Sequence, residues 1–253
     1  MRVLFIGDSI IRGSVGVNWV NDITGPVKTI ANRGVNGDTL ARINQRLYAI
    51  LRKDASFDAV VFCGGANDIL IPYLSSKGFL FKAAQKYLLR KGYSPCRTME
   101  EFEYGYTKAI KLIRRYCKAE IILLTLGRMN ERAEFVLNHQ RAAVNLLIRR
   151  LAMREGCRLA DAGKRIDEYL NDKSTRDYFL EGFFNTSWFD QWQCRLFKRA
   201  DSLSEERGLI LTIDGAHVNS IGGAIFRDEV EKHLFKIEAG VGSRLDATGL
   251  RVL

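Results

Sequence analysis

Five short apolar runs, each set off from the next by a segment of helical periodicity, are what most restrict the folds open to this chain of 253 residues. The runs occupy residues 3–6, 27–31, 59–63, 120–126 and 158–161. Between them Leu40, Ile43, Leu47, Ile50 and Leu51 recur at helical spacing, as do Tyr106, Ile110, Ile113 and Cys117. A longer helix is predicted over 132–155, and Phe226, Val230 and Leu234 mark a last one after His217. Strands that are apolar on both faces need cover on both faces, and the alternating helices supply it. The expected fold is therefore α/β, with a five-stranded parallel sheet between helical layers. Such a sheet carries its chemistry in the loops at the C-terminal ends of its strands. Ser9 follows the first strand, Gly34 the second and Asn67 the third, so all three are expected on one rim.

Composition narrows the function classes. No run approaches the roughly 20 apolar residues of a membrane span, and Thr125 and Gly127 interrupt the strongest candidate. A strand starting at Arg2 with a chemical motif by residue 7 leaves no room for a leader of about 15–30 residues, so a cytoplasmic location is expected. The five cysteines are odd in number and form no Cys-x-x-Cys pair, which fits reduced thiols, with Cys63 and Cys157 packed in the core. The net charge of +10 comes in part from Lys111, Arg114 and Arg115 and from Arg149, Arg150 and Arg154, which lie on helices whose other positions are apolar. Solvated helix faces are the simpler account, and no nucleic-acid-binding motif accompanies them. Three scattered histidines make no His-Glu-x-x-His or similar cluster, so neither a metal nor a cofactor is expected.

One domain over 1–253 is expected, with insertions at about 71–102 and 169–207 and an irregular tail at 239–253. The first insertion carries Phe79, Leu80, Phe81, Tyr87 and Tyr93 among lysines; the second carries Tyr178, Phe179, Phe183, Phe184, Trp188, Phe189 and Trp192. Long insertions near an active rim form lids or substrate walls, or else extra helices packed on the body. The sequon at Asn185 has no consequence in a cytoplasmic chain.

The chemistry rests on residues far apart in sequence. Gly7 permits a sharp turn after the first strand, and Ser9 then sits at a helix start, where backbone N–H groups point outward and the amide of Ser9 can donate to an oxyanion. His217 can take the Ser9 proton and later protonate a leaving alcohol, and Asp214, three residues earlier, can fix its tautomer. The alternative role for Asp214 is to cap the last helix, which Asn219 or Ser220 supplies equally well. His139 lies inside a helix, and His233 near a helix end, where a dipole contact suffices. In Asn32-Arg-Gly34-Val-Asn-Gly37-Asp-Thr39, Gly34 can bring its N–H close to a substrate, and Asp38 or Thr39 can cap the following helix. In Gly64-Gly65-Ala66-Asn67-Asp68, the Asn67 amide is a candidate oxyanion donor and Asp68 a carboxylate that holds the loop; an Asx-turn alone accounts for such residues in isolation.

Taken together, these blocks resemble the SGNH (GDSL-type) hydrolases. The matching residues are Gly7-Asp8-Ser9-Ile10, Gly34-x-x-Gly37-x-Thr39, Gly65-x-Asn67-Asp68 and Asp214-x-x-His217, with Gly13 and Trp19 also similar. Val218 departs from the proline or leucine common after the histidine. The resemblance implies a flavodoxin-like three-layer α/β/α fold and metal-free ester hydrolysis through an acyl-enzyme. It implies Ser9 as nucleophile, His217 as base, Asp214 as its partner, and an oxyanion hole of Ser9, Gly34 and Asn67, with Asp8 and Asp68 in support. The expected substrate is a small-molecule carboxylic ester, with a short acyl group such as acetyl preferred because no membrane-binding helix is evident. The alternatives are a lipase or lysophospholipase with an aromatic lid from the second insertion, and a non-catalytic binding module on the same scaffold.

Overall fold

Strand–helix alternation does produce a single parallel sheet. In the computed structural model, which describes residues 1–182 and 188–240, β1 (Arg2–Gly7) leads into the short helix α1 (Ser9–Arg12) and β2 (Thr29–Gly34) into α2 (Leu40–Lys53). After β3 (Ala59–Phe62) come α3 (Ala66–Ser75), α4 (Phe79–Arg90) and α5 (Met99–Tyr116). β4 (Glu120–Leu124), α6 (Val136–Arg154) and β5 (Arg158–Ala160) complete the sheet, and α7 (Ala162–Leu170), α8 (Asp190–Phe197), α9 (Ala200–Glu206) and α10 (Ser220–Glu238) follow. The strand order is β2-β1-β3-β4-β5, all parallel. Winding therefore reverses at β1: the chain passes to β2 on one side and to β3, β4 and β5 on the other. The loops after β1 and β3 part at this reversal and leave a crevice at the C-terminal rim.

Residues Val3–Ile6 of β1 and all of β3 have no solvent exposure, which explains their unbroken apolar sequence. Trp19 stacks on Phe226 of α10 with ring centroids 5.7 Å apart and meets Phe5 edge-on at 6.0 Å. This joins the β1 rim to the last helix. The cation-rich positions of α5 and α6 are ion-paired on the surface, Arg114 with Glu155 and Arg154 with Glu103. All five cysteines are free thiols; Cys63 is buried and Cys157 half-buried. Among the described residues no helix is long and apolar enough to cross a membrane.

Two boundaries differ from expectation for a physical reason. β2 begins two residues late and runs on to Gly34, because an edge strand tolerates Asn32 and Arg33, where a reading based on apolar runs stops at Ala31. α6 starts at Val136, because Asn138 holds the preceding loop: its Oδ1 accepts from the Met129 N–H and its Nδ2 donates to the Asn130 and Arg132 carbonyls. The first insertion forms the end of α3 together with α4, and the second carries α8 and α9. Phe183, Phe184, the sequon at Asn185 and tail residues 241–253 lie outside the described residues.

Candidate active site

Ser9 is the first residue of α1 and follows the last strand position of β1 by two residues. Gly7 is required there, since a Cβ would lie 2.5 Å from the Cys63 carbonyl oxygen. Asp8 caps α1 by accepting from the Ile10 N–H at 3.0 Å, and Gly13 closes the helix after one turn with a φ of 64°. The turn is fixed from outside. The Trp19 indole donates to the Ile10 carbonyl and Asn32 Nδ2 to the Ile11 carbonyl, at 2.9 and 2.7 Å. The Ser9 N–H, in the first turn, has no partner within the helix.

His217 reaches this serine across 208 residues of sequence, its Nε2 lying 3.0 Å from Ser9 Oγ. On the other side of the ring Nδ1 lies 2.7 Å from Asp214 Oδ2. Asp214 Oδ1 accepts from the Ala216 and His217 N–H groups, so the carboxylate folds its own loop around the imidazole. Asn219 takes the capping role for α10 by accepting from the Gly222 N–H, which leaves Asp214 to the histidine. Gly215 has a φ of 86°, and a Cβ there would meet the Tyr178 carbonyl.

This loop depends on a residue that the sequence reading missed. Glu131 is buried; its Oε1 accepts from the Leu211 and Thr212 N–H groups and the Thr212 hydroxyl, and its Oε2 from the Ile210 N–H. Nothing local marks it, since Glu131 stands in an irregular loop about eighty positions away. Arg207, paired with buried Asp190, adds a hydrogen bond to the Ile213 carbonyl.

The electrostatics favour a readily charged imidazole beside Ser9. Burial alone would hold His217 down, but the charge and hydrogen bond of Asp214, with Asp8 and Asp190 behind, raise it above the ordinary histidine value. Burial opposes ionisation of Asp214, yet His217 and the loop N–H groups hold its carboxyl below the usual range. Asp8 is pushed up to about 6, chiefly by burial, and its Oδ2 has no hydrogen-bond partner among the described residues. His233 is not a helix-dipole cation: burial lowers it, and its Nε2 meets the Leu159 carbonyl.

On the oxyanion side the structure places Gly34 in a strand and not in the loop after it. Gly34 pairs with Gly7 as the final register position of β2, its N–H donates to Asn32 Oδ1 at 3.0 Å, and a Cβ on it would strike the Arg12 backbone at 2.2 Å. Gly34 thus serves close packing of strand on helix, because β2 extends further than its apolar run. Gly37, three residues on, lines the cavity beside Ser9 with a φ of 77°. Asn67 also lines it, with its Nδ2 donating one hydrogen to the Asp38 carbonyl at 3.0 Å. Asp68 joins two loops: Oδ2 accepts from the Leu40 N–H at the start of α2 and Oδ1 from the Cys96 N–H. Asp38 instead pairs with Arg46, which also donates to the Gly7 carbonyl.

Ser9, His217, Asn67 and Gly37 share a cavity of about 290 Å³ with Asn36, Arg128 and Gln191 at its polar edge. None of the described aromatic residues of the second insertion lines it, although Leu180 and Gln191 of that segment do. Phe179 packs against Tyr73 and Phe135, whereas Trp188, Phe189 and Trp192 are exposed around a separate groove. Among the described residues no group of His, Cys, Asp or Glu is arranged to hold a metal ion.

An alcohol, an imidazole and a buried carboxylate in series at the rim of a parallel sheet is the arrangement of serine hydrolases. The chain belongs to the GDSL-like lipase/acylhydrolase family, whose model matches residues 5–184, and is thus an ester-hydrolysing enzyme. The matched span includes Ser9 and Asn67 but ends before Asp214 and His217. Solved structures with the same fold include a member of the lipolytic G-D-S-L family from Veillonella parvula, with a TM-score of 0.60, 15% identity, and coverage of 93% of this chain and 99% of that one. An acetyl xylan esterase, AlAXEase, aligns with a TM-score of 0.58 and 20% identity over 92% of this chain and 100% of its own. The acetylxylan esterase Axe2 from Geobacillus stearothermophilus aligns with a TM-score of 0.56 and 16% identity over 97% and 96%. No curated protein matches the sequence significantly.

Proposed function

We propose that the protein hydrolyses carboxylic esters through an acyl-enzyme on Ser9. The observation that carries this reading is the series Ser9 Oγ, His217 Nε2, His217 Nδ1 and Asp214 Oδ2, with contacts of 3.0 and 2.7 Å. His217 accepts the hydroxyl proton as Ser9 Oγ adds to the ester carbonyl. The negative charge developing on the carbonyl oxygen is met by the Ser9 and Gly37 N–H groups and the second hydrogen of Asn67 Nδ2. The imidazolium, stabilised by Asp214, returns its proton to the departing alcohol and leaves the acyl group on Ser9. Water, deprotonated by the same imidazole, releases the acid and restores the serine.

All parts of this sequence belong to the chain itself, so the proposed reaction needs neither metal nor cofactor. A binding module on the same scaffold fits less well, because it gives no reason for a hydroxyl, an imidazole and a carboxylate to be kept in register. The test is hydrolysis of nitrophenyl esters by purified wild type and Ser9→Ala. The variant is expected to lose turnover by at least about 10⁴-fold, and near-wild-type turnover would remove Ser9 from the reaction.

A further inference from the structure

We infer that the seam between α3 and α4 is an acyl-binding channel that selects an unbranched chain of medium length over acetyl. The inference rests on the serine-esterase reading and extends it to the acyl half of the substrate. The helix that carries Asn67 continues as the channel wall, because Leu70, Ile71 and Leu74 stand three, four and seven residues after Asn67 and so share its face. Across the cavity Phe81, Ala84 and Leu88 of α4 repeat the same spacing. A chain leaving the carbonyl held at Asn67 therefore enters directly between two apolar stripes.

The state of α4 points to an apolar occupant. An amphipathic helix ordinarily buries its apolar stripe against the body. Helix α4 packs on α3, yet none of its residues is fully buried, and Ala84 and Leu88 border open cavity. An acetyl group places one methyl beside Asn67 and leaves Leu74 of α3 and Phe81, Ala84 and Leu88 of α4 partly exposed. Seven residues of α3 separate Asn67 from Leu74, roughly 10 Å along the axis. That is the reach of an extended chain of about eight carbons, so octanoyl lies along the whole seam.

The experiment is a nitrophenyl-ester series from acetyl to dodecanoyl, read as kcat/KM for wild type and for Ala84→Trp, which fills the channel midway. Burial of each further methylene is worth about fourfold, so the wild-type octanoyl-to-acetyl ratio is expected to exceed about tenfold even with partial burial. In Ala84→Trp that ratio falls by at least about tenfold. A wild-type preference for acetyl overturns the proposal on its own, whatever the variant does, and so does an unchanged ratio in a folded Ala84→Trp. Fluorophosphonate labelling of Ser9 separates the two levels. Labelled enzyme that prefers acetyl refutes the channel alone, while enzyme that neither labels nor hydrolyses any ester refutes the esterase reading and the channel with it.

Discussion

The buried carboxylate of Glu131 is bound by both the N–H and the hydroxyl of Thr212, two residues before Asp214, at 2.8 and 2.7 Å. With the Ile210 and Leu211 N–H groups it gathers four donors, so one side chain organises the approach to Asp214 and His217. The loop's outer edge is closed by an antiparallel bridge between Thr212 and Val218. Glutamine at position 131 would present a donor where donors already converge. Glu131→Gln is expected to cost about 2–4 kcal/mol of stability and to lower kcat more than it raises KM. Thermal denaturation and steady-state kinetics check this, and an unaltered melting temperature would mean that the loop holds itself.

The pH dependence follows from His217 and Asp8. His217 must be neutral to accept the serine proton, and its pKa lies above the ordinary histidine value. The acid limb of kcat/KM is therefore expected above about pH 6.5. Asp214→Asn removes the main raising influence, so the limb moves to lower pH while turnover drops by on the order of 10⁴. A limb that stays in place would assign it to another group.

Asp8 acts on stability in the opposite sense to a paired carboxylate. Its pKa is about 6 in the fold, above its unfolded value, so the folded state binds the extra proton between the two. The favourable contribution is present below the unfolded value and is lost as pH rises through about 6. Asp8→Asn keeps the Oδ1 that caps α1 and abolishes the buried charge. It is expected to gain on the order of 2–3 kcal/mol over wild type near pH 8 and nothing near pH 4. Denaturant unfolding at both pH values measures the difference, and equal stabilities near pH 8 would contradict it.

Gly34 at the end of β2 and Gly37 in the turn after it separate structure from chemistry. In Gly34→Ala the new methyl meets the Arg12 backbone, so loss of the folded protein is expected. In Gly37→Ala no neighbour lies within 4 Å of the Cβ, and only the positive φ is strained. That variant is expected to fold with a loss of about 1 kcal/mol and to lose turnover by obstructing the oxyanion site. Asn67→Ala, lacking a side-chain donor, is expected to lose about 10²–10³ in kcat. Circular dichroism and ester hydrolysis together distinguish the three, and full activity in Gly37→Ala would take its N–H out of the reaction.

What the sequence made legible follows from where each signal is stored. Local blocks mark Ser9, Asp214 and His217, which the fold brings within hydrogen-bond reach of one another, and the parallel sheet was readable because its central strands are apolar on both faces. Gly34 belongs to the edge strand β2, which admits Asn32 and Arg33, whereas the apolar run alone puts the start of the loop earlier. Glu131 and Arg207 left no trace, because their partners lie across the fold and their neighbours are ordinary loop residues. Of the two insertions expected to offer lids or walls, the first supplies Ile71, Leu74, Phe81, Ala84 and Leu88 to the cavity and the second Leu180 and Gln191. Hydrophobicity marks which residues seek burial, not which cavity they will line.

The most direct test of the account is mass analysis of the peptide containing Ser9 after brief incubation with an activated ester at low pH, where deacylation is slow. One acyl group is expected on Ser9, absent from Ser9→Ala and reduced in the His217→Ala variant. An acyl group on another residue, or rapid hydrolysis by Ser9→Ala with no adduct in either protein, would contradict it.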